Sequence, residues 1–132
     1  MIVEFKIPGQ PCAKQRPRLG KGFTYTPVKT VNYETLVKQI YSAERLPYLE
    51  GELIMMVRAF FQIPKSVSKK DREAMQNYRI RPVKKPDWDN IGKIISDALN
   101  GIAYHDDSQI VSATVTKWYD DIPRVEVYLE VI

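Results

Sequence analysis

Asp87-Trp-Asp-Asn-Ile-Gly-Lys-Ile-Ile-Ser-Asp-Ala-Leu-Asn-Gly101 is the stretch around which the rest of the chain can be arranged. Wound at 3.6 residues per turn, it places Ile91, Ile94, Ile95, Ala98 and Leu99 on one apolar stripe. Asp89, Lys93 and Asp97 stand at successive i, i+4 positions on the opposite side. Asp87 suits the N-cap, and Asn100-Gly101 suits a helix stop. The spacing therefore predicts a helix over 87–100, roughly 18 Å long at 1.5 Å per residue. Residues 100–107 can stretch to about 26 Å. That is enough to return Asp106-Asp107 beside Asp87 and Asp89, with the next strand starting near the helix N-terminus.

Working outward, residues 109–119 and 124–132 are rich in Val, Ile, Thr, Tyr and Trp and read as two strands. Asp120-Asp121-Ile-Pro123 reads as the hairpin joining them. Residues 52–62, apolar through most of their length and interrupted by Arg58, read as a buried central strand. Ser68 to Asp71 has capping-box spacing, with Asp in place of Glu, and opens a short polar helix to about Asn77. Upstream, Tyr33, Leu36, Val37, Ile40 and Tyr41 recur at helical spacing, giving a helix over 28–45. Pro27 fits its first position, Thr26 its cap, and Pro47 its end. Val3, Phe5 and Ile7 alternate as in a strand over 2–7; residues 8–22 read as an exposed loop, and 23–26 as a short strand. The order predicts one α+β domain over residues 1–132: a mixed β-sheet packed against α-helices mainly on one face.

The totals exclude several classes. An apolar fraction of 44% over 132 residues supports a real core and argues against whole-chain disorder. The one cysteine, Cys12, excludes an intrachain disulfide and a four-Cys zinc site, and fits a reducing cytoplasm. The longest apolar run, Leu53 to Val57, is too short to span a bilayer, so no membrane partner is expected. The N-terminus alternates like a strand, unlike a signal peptide. The formal charge is +4. No acid lies between Glu4 and Glu34, where Lys6, Lys14, Arg16, Arg18, Lys21 and Lys29 fall; Arg79, Arg81, Lys84 and Lys85 precede the aspartate-rich stretch. Basic segments flanking an acidic one suit a polyanion held around a metal site. Solvated surface charge is the other reading of the same pattern.

Three or four carboxylates brought together repel one another and would repel a phosphate. A divalent cation, Mg²⁺ or Mn²⁺, relieves both, because it takes hard oxygen ligands and polarises a phosphoryl oxygen. Lys93, one turn from Asp89, is placed to offset charge on the same phosphate. Taken singly, each piece has a plainer explanation: Asp87 as a cap, Asp89–Lys93–Asp97 as a solvated ion-pair face, Asp106-Asp107 as a turn.

The run Lys85-Pro-Asp-Trp-Asp-Asn-Ile-Gly-Lys-Ile-Ile-Ser-Asp-Ala-Leu-Asn-Gly101, followed by Asp106-Asp-Ser-Gln-Ile110, closely resembles the RusA family of Holliday junction resolvases, often carried by prophages. Pro11-Cys-Ala-Lys-Gln-Arg-Pro-Arg18 and the Tyr-Thr-Pro at 25–27 extend the resemblance over most of the chain. It implies an endonuclease of DNA recombination and repair, a homodimer that binds four-way junctions and makes paired incisions with Mg²⁺ or Mn²⁺. It implies Asp87, Asp89 and Asp107 as metal ligands and Lys93 as the catalytic lysine, with Asp97 and Asp106 at family positions of second rank. Lys14, Arg16, Arg18, Arg81, Lys84 and Lys85 are the candidate DNA contacts.

Other residues are set aside. His105, beside the aspartate pair, reads as a loop residue before a proton shuttle; Cys12 reads as inert. Trp88 reads first as packing at a helix start, with stacking on an unpaired base as the alternative. Asp120-Asp121 is simplest as turn chemistry. Two functions compete with junction cleavage: a non-catalytic DNA-binding phage accessory protein, and a flap or RNA nuclease using the same carboxylates.

Overall fold

The computed structural model describes residues 1–132. Strand β1 (Ile2–Pro8) is followed by two short strands, β2 (Arg18–Gly20) and β3 (Phe23–Tyr25), then helix α1 (Val28–Ala43). Strand β4 (Leu53–Gln62), helices α2 (Lys69–Gln76) and α3 (Trp88–Ala98), and strands β5 (Ile110–Asp120) and β6 (Arg124–Val131) complete it. The main sheet has the order β1-β6-β4-β5. β4 pairs parallel with β5 and antiparallel with β6, so the sheet is mixed and the domain α+β, as expected. One cluster of 25 buried residues forms the core. It gathers Val3, Phe5 and Ile7 of β1, the inward positions of β4, and Ile91, Ile94 and Ile95 of α3, which are fully buried. Each such isoleucine contributes about 1.5–3 kcal/mol by leaving water.

The expected 120–123 hairpin is corrected. β5 and β6 do not pair, because β4 lies between them: Phe60 is opposite Trp118 on one side and Arg124 on the other. The short connection therefore passes over the end of β4. The local pattern is that of two strands around a tight turn, and nothing local reveals that a strand fifty residues upstream is inserted. Residues 8–22 are also not wholly loop, since β2 pairs with β3 from Arg18↔Tyr25 to Gly20↔Phe23 as a separate ribbon. At α1, Pro27 occupies the N-cap without a side-chain bond, so Thr26 is not the cap. The helix ends at Ala43, before Pro47. Ser68 caps α2 as expected, its hydroxyl accepting from the Asp71 amide at 3.1 Å.

Candidate active site

α3 forms where the isoleucine stripe requires it. Its geometry at both ends shapes the site. Asp87 sits at the N-cap in extended backbone, yet its carboxylate caps nothing. At the other end Gly101 adopts φ +75°, a conformation that L side chains avoid. The chain then folds tightly: the Gly101 amide donates to the Tyr104 carbonyl at 2.7 Å, and the buried Tyr104 hydroxyl donates to the Ser96 carbonyl at 2.7 Å. This turn corrects the expected stretched return. Residues 100–107 stay at the C-terminal end of α3, and the next strand begins there, not near the helix N-terminus. Gly92 lies against Val115, where a Cβ would come within 3.1 Å of a valine methyl, while Asp107 lies beside Asp97. α3 and β5 therefore run in opposite senses.

Between them opens a cleft of about 290 Å³. Asp89, Lys93 and Asp107 line it with Trp88, and Met55, Ile110, Ala113 and Val115 supply its apolar part. Asp87 does not line it. Asp97 sits one turn beyond Lys93 and pairs with it at 3.5 Å. Asp107 is pushed up from the usual carboxylate range, first by partial burial, then by the negative charges of Asp106 and Asp97 and a hydrogen bond with Asp97. Lys93 pulls it the other way. Asp106 is held below the usual range because its carboxylate accepts from Ser108, whose amide is 3.0 Å away.

Gln109 is the residue that sequence reasoning missed. Its side-chain oxygen accepts from the amides of His105 at 2.9 Å and Asp106 at 3.1 Å. Its amide nitrogen donates to the carbonyls of Gly51 at 3.0 Å and Leu49 at 3.4 Å. Asp106 and Gln109 thus form a capping box around the one-turn 3₁₀ helix Asp107–Gln109, and the turn is tied to the segment that leads into β4. The D-x-x-Q spacing carried this signal.

The basic candidates divide. Lys14 is spent inside the structure: its ammonium lies 3.0 Å from Glu34 and 3.4 Å from Asp97. Burial opposes its charge, but those two acids outweigh burial and raise its pKa. Its backbone amide also donates to Asn90, fixing the loop before β2 to the first turns of α3. Arg81 lies 3.6 Å over the Trp118 ring and donates to the Lys117 carbonyl at 2.8 Å. Lys84 faces the Tyr119 ring at 5.8 Å. Arg16, Arg18 and Lys85 are exposed. Trp88 is 64% exposed, which overturns its reading as a packing residue. His105 is an exposed loop residue, and Cys12 is buried, with burial pushing its thiol pKa up.

No three of the chain's Asp, Glu, His or Cys side chains are gathered closely enough to hold a metal ion, so the expected three-aspartate cluster is not closed. The donor chemistry still fits a hard divalent cation. Mg²⁺ is ordinarily bound through one or two carboxylates with the remaining positions kept by water and phosphate, and two carboxylates share this cleft. Burial first, and then the neighbouring charges of Asp106 and Asp97, disfavour the Asp107 carboxylate, and a bound cation would favour it.

An open cleft edged by two carboxylates and a lysine, on a basic α+β domain, has the groups that metal-assisted phosphodiester cleavage uses. Comparison with known proteins makes the class specific. A family model described as endodeoxyribonuclease RusA matches residues 8–130. The chain belongs to this family of endodeoxyribonucleases, the Holliday junction resolvases. A protein of Bacillus subtilis (strain 168), the uncharacterized protein YqaN, is 38% identical over 134 residues, covering 96% of this chain and 94% of that one.

Proposed function

We propose that the chain is a divalent-metal-dependent resolvase of four-way junction DNA, working in the cytoplasm in recombination and repair, with its chemistry in the cleft between α3 and β5. The observation that carries this reading is the joint lining of one open cleft by Asp89 and Lys93 of α3 and Asp107 of the turn that follows it. Asp89 and Asp107 would hold the cation, with Mg²⁺ or Mn²⁺ the fitting choice for carboxylate oxygens. Asp87, at the mouth of the helix and unused as a cap, is the third candidate ligand. When bound, the cation supplies positive charge that polarises the phosphoryl oxygen. Lys93 presents a cationic donor to a non-bridging oxygen of the same phosphate, stabilising the charge that builds there as water attacks phosphorus and the P–O bond breaks. Asp97, one turn along α3, pairs with the Lys93 ammonium at 3.5 Å and restrains it.

The phosphates flanking the cut are assigned to Arg16, Arg18, Arg81, Lys84 and Lys85. Lys14 is left out, because its charge is already neutralised by Glu34 and Asp97. A homodimer completes the proposal, since a junction needs two incisions and one site makes one. The test is incubation with synthetic four-way junction, flap, duplex and single-stranded DNA, with and without Mg²⁺. Paired cuts in the four-way junction alone, and only with the metal, support the proposal. Preferred cutting of flaps assigns another substrate, and binding without cutting of any DNA overturns the enzymatic reading.

A further inference from the structure

Trp88 stands beside the candidate reacting groups and makes no aromatic or cation contact in the folded chain. It is 64% exposed, although it sits between Asp87 and Asp89 and lines the cleft with Asp89, Lys93 and Asp107. The aromatic contacts of the molecule join Phe5 to Tyr41, Phe23 to Tyr25, and Tyr78 to Phe60 and Trp118, while the cations lie over Trp118, Tyr119, Phe61 and Phe60. Trp88 takes part in none of them. An indole kept in water costs free energy that folding did not recover by packing.

The cleft it borders is chemically two-sided. The Lys93 ammonium, and the cation that Asp89 and Asp107 would hold, provide for a phosphate, and Met55, Ile110 and Val115 provide an apolar wall next to them. A nucleotide likewise joins an anionic phosphate to the apolar face of a base. At about 290 Å³ the space lies just below the usual range for small-ligand pockets, roughly 300–1,000 Å³, a size comparable with a single nucleoside. A base is cheapest to extrude where pairing or stacking is already disturbed, as at a branch point whose arms are not coaxially stacked.

We infer that the cleft is a nucleobase subsite: Trp88 stacks on one unstacked base adjoining the scissile phosphate, and so positions that phosphate against Asp89, Lys93 and Asp107. Trp88 is a positioning residue, since it makes no contact with the reacting atoms. The inference rests on the proposed resolvase reading and specifies how that site selects branched DNA. It also explains the glycine at position 92. A side chain there would press on Val115 and narrow the same cleft.

The experiment crosses Trp88→Ala and Trp88→Phe with four-way junctions in which the nucleotide on either side of the mapped scissile phosphate is made abasic, one at a time. Single-turnover cleavage is read in Mg²⁺, and the mass in solution of each variant is measured. On the intact junction Trp88→Ala is expected to cut roughly 10-fold or more slowly than the wild type, and Trp88→Phe close to it. At one of the two positions the abasic junction is expected to slow the wild type by a similar factor and to slow Trp88→Ala no further. That non-additivity couples the indole to one base, which a loss of folding would not produce. In a Trp118→Phe background, where Trp88 is the one remaining tryptophan, its fluorescence is expected to fall on junction binding without metal.

Independent, additive effects of the two changes overturn the subsite while leaving the resolvase intact. A Trp88→Ala chain that loses its partner subunit shows that a second copy covers the cleft, and overturns it too. A wild type that cuts no junction overturns the nuclease reading, and the subsite falls with it.

Discussion

At the residue scale, the acids and the lysine of α3 were legible because helical periodicity fixes which side chains share a face. Asp89, Lys93 and Asp97 fall on one helix as their spacing required; Asp107 reaches the cleft of Asp89, but by a tight turn at the far end of α3, and Asp87 stays outside that cleft. The difference from the expected stretched return has a physical cause. The reach of residues 100–107 gives an upper limit, and the buried Tyr104 hydroxyl bonded to Ser96 shortens the path far below it. Trp88 shows the converse: whether an indole packs or stands in water depends on neighbours that local sequence does not name. Gln109 was readable from its spacing to Asp106. Its side chain makes four hydrogen bonds, two as acceptor and two as donor. Gln109→Ala is expected to destabilise the fold by about 1–3 kcal/mol, through carbonyls and amides left without partners. It should also lower cleavage by loosening the turn that carries Asp107. Chemical denaturation with parallel cleavage rates checks both; an unchanged midpoint would remove Gln109 from that role.

At the scale of elements, strand and helix positions were legible over most of the chain, and pairings were not. β5 and β6 look like two arms of a hairpin because each alternates and a turn sequence lies between them. The intrusion of β4 is a long-range fact, driven by the burial available to Val57, Ala59 and Phe61. The connection is held by Asp120, which accepts from the amides of Asp121 at 2.7 Å and Ile122 at 3.5 Å, from the Tyr78 hydroxyl at 3.2 Å, and pairs with Arg124 at 3.4 Å. Burial pushes the Asp120 carboxyl up, but the amides, Arg124 and Tyr78 together hold it below its usual value. A carboxyl whose folded pKa is depressed stabilises the fold above its unfolded pKa, about 4, and loses that contribution as pH falls through the folded value. Asp120→Asn is therefore expected to lower stability at neutral pH and to flatten the fall in stability below about pH 4. Thermal melts of both proteins across that range test this, and parallel acid limbs would contradict it.

At the scale of the whole molecule, the charge pattern was legible as segregation but not as function, because a lysine in a sequence gives no sign of being already paired. Lys14 is the instructive case. Its two acids come from α1 and α3, distant in sequence. Binding to a junction releases counterions in proportion to the phosphates neutralised, with a slope of about 0.9 per contact on duplex DNA. Arg16→Ala with Arg18→Ala is expected to flatten the salt dependence of junction binding by nearly two contacts, whereas Lys14→Ala leaves the slope unchanged and costs stability instead. Filter binding from low to moderate salt separates these, and equal slopes for all variants would place the segment away from DNA. No helix is long and apolar enough to cross a membrane. The sheet ends at β1 on one side and β5 on the other, and Val111 on β5 is 59% exposed. A dimer related by a two-fold axis should give about twice the 15.3 kDa chain mass by light scattering at micromolar concentration. A monomer that still makes paired cuts would contradict it.

The central claim is that the cleft of Asp89, Lys93 and Asp107 cuts junction DNA. It is tested most directly by measuring binding and cleavage of one four-way junction, in Mg²⁺, for the wild type, Asp87→Asn, Asp89→Asn and Asp107→Asn. Each substitution removes charge and keeps shape, so all four proteins should fold and bind the junction alike. Asp89→Asn and Asp107→Asn are expected to lose cleavage by roughly a hundredfold to a thousandfold, the scale on which lost electrostatic stabilisation acts in a catalytic site. Asp87→Asn, whose carboxylate stands outside the cleft, decides whether the helix mouth belongs to the same centre. Cleavage near the wild-type rate by Asp89→Asn or Asp107→Asn would contradict the account.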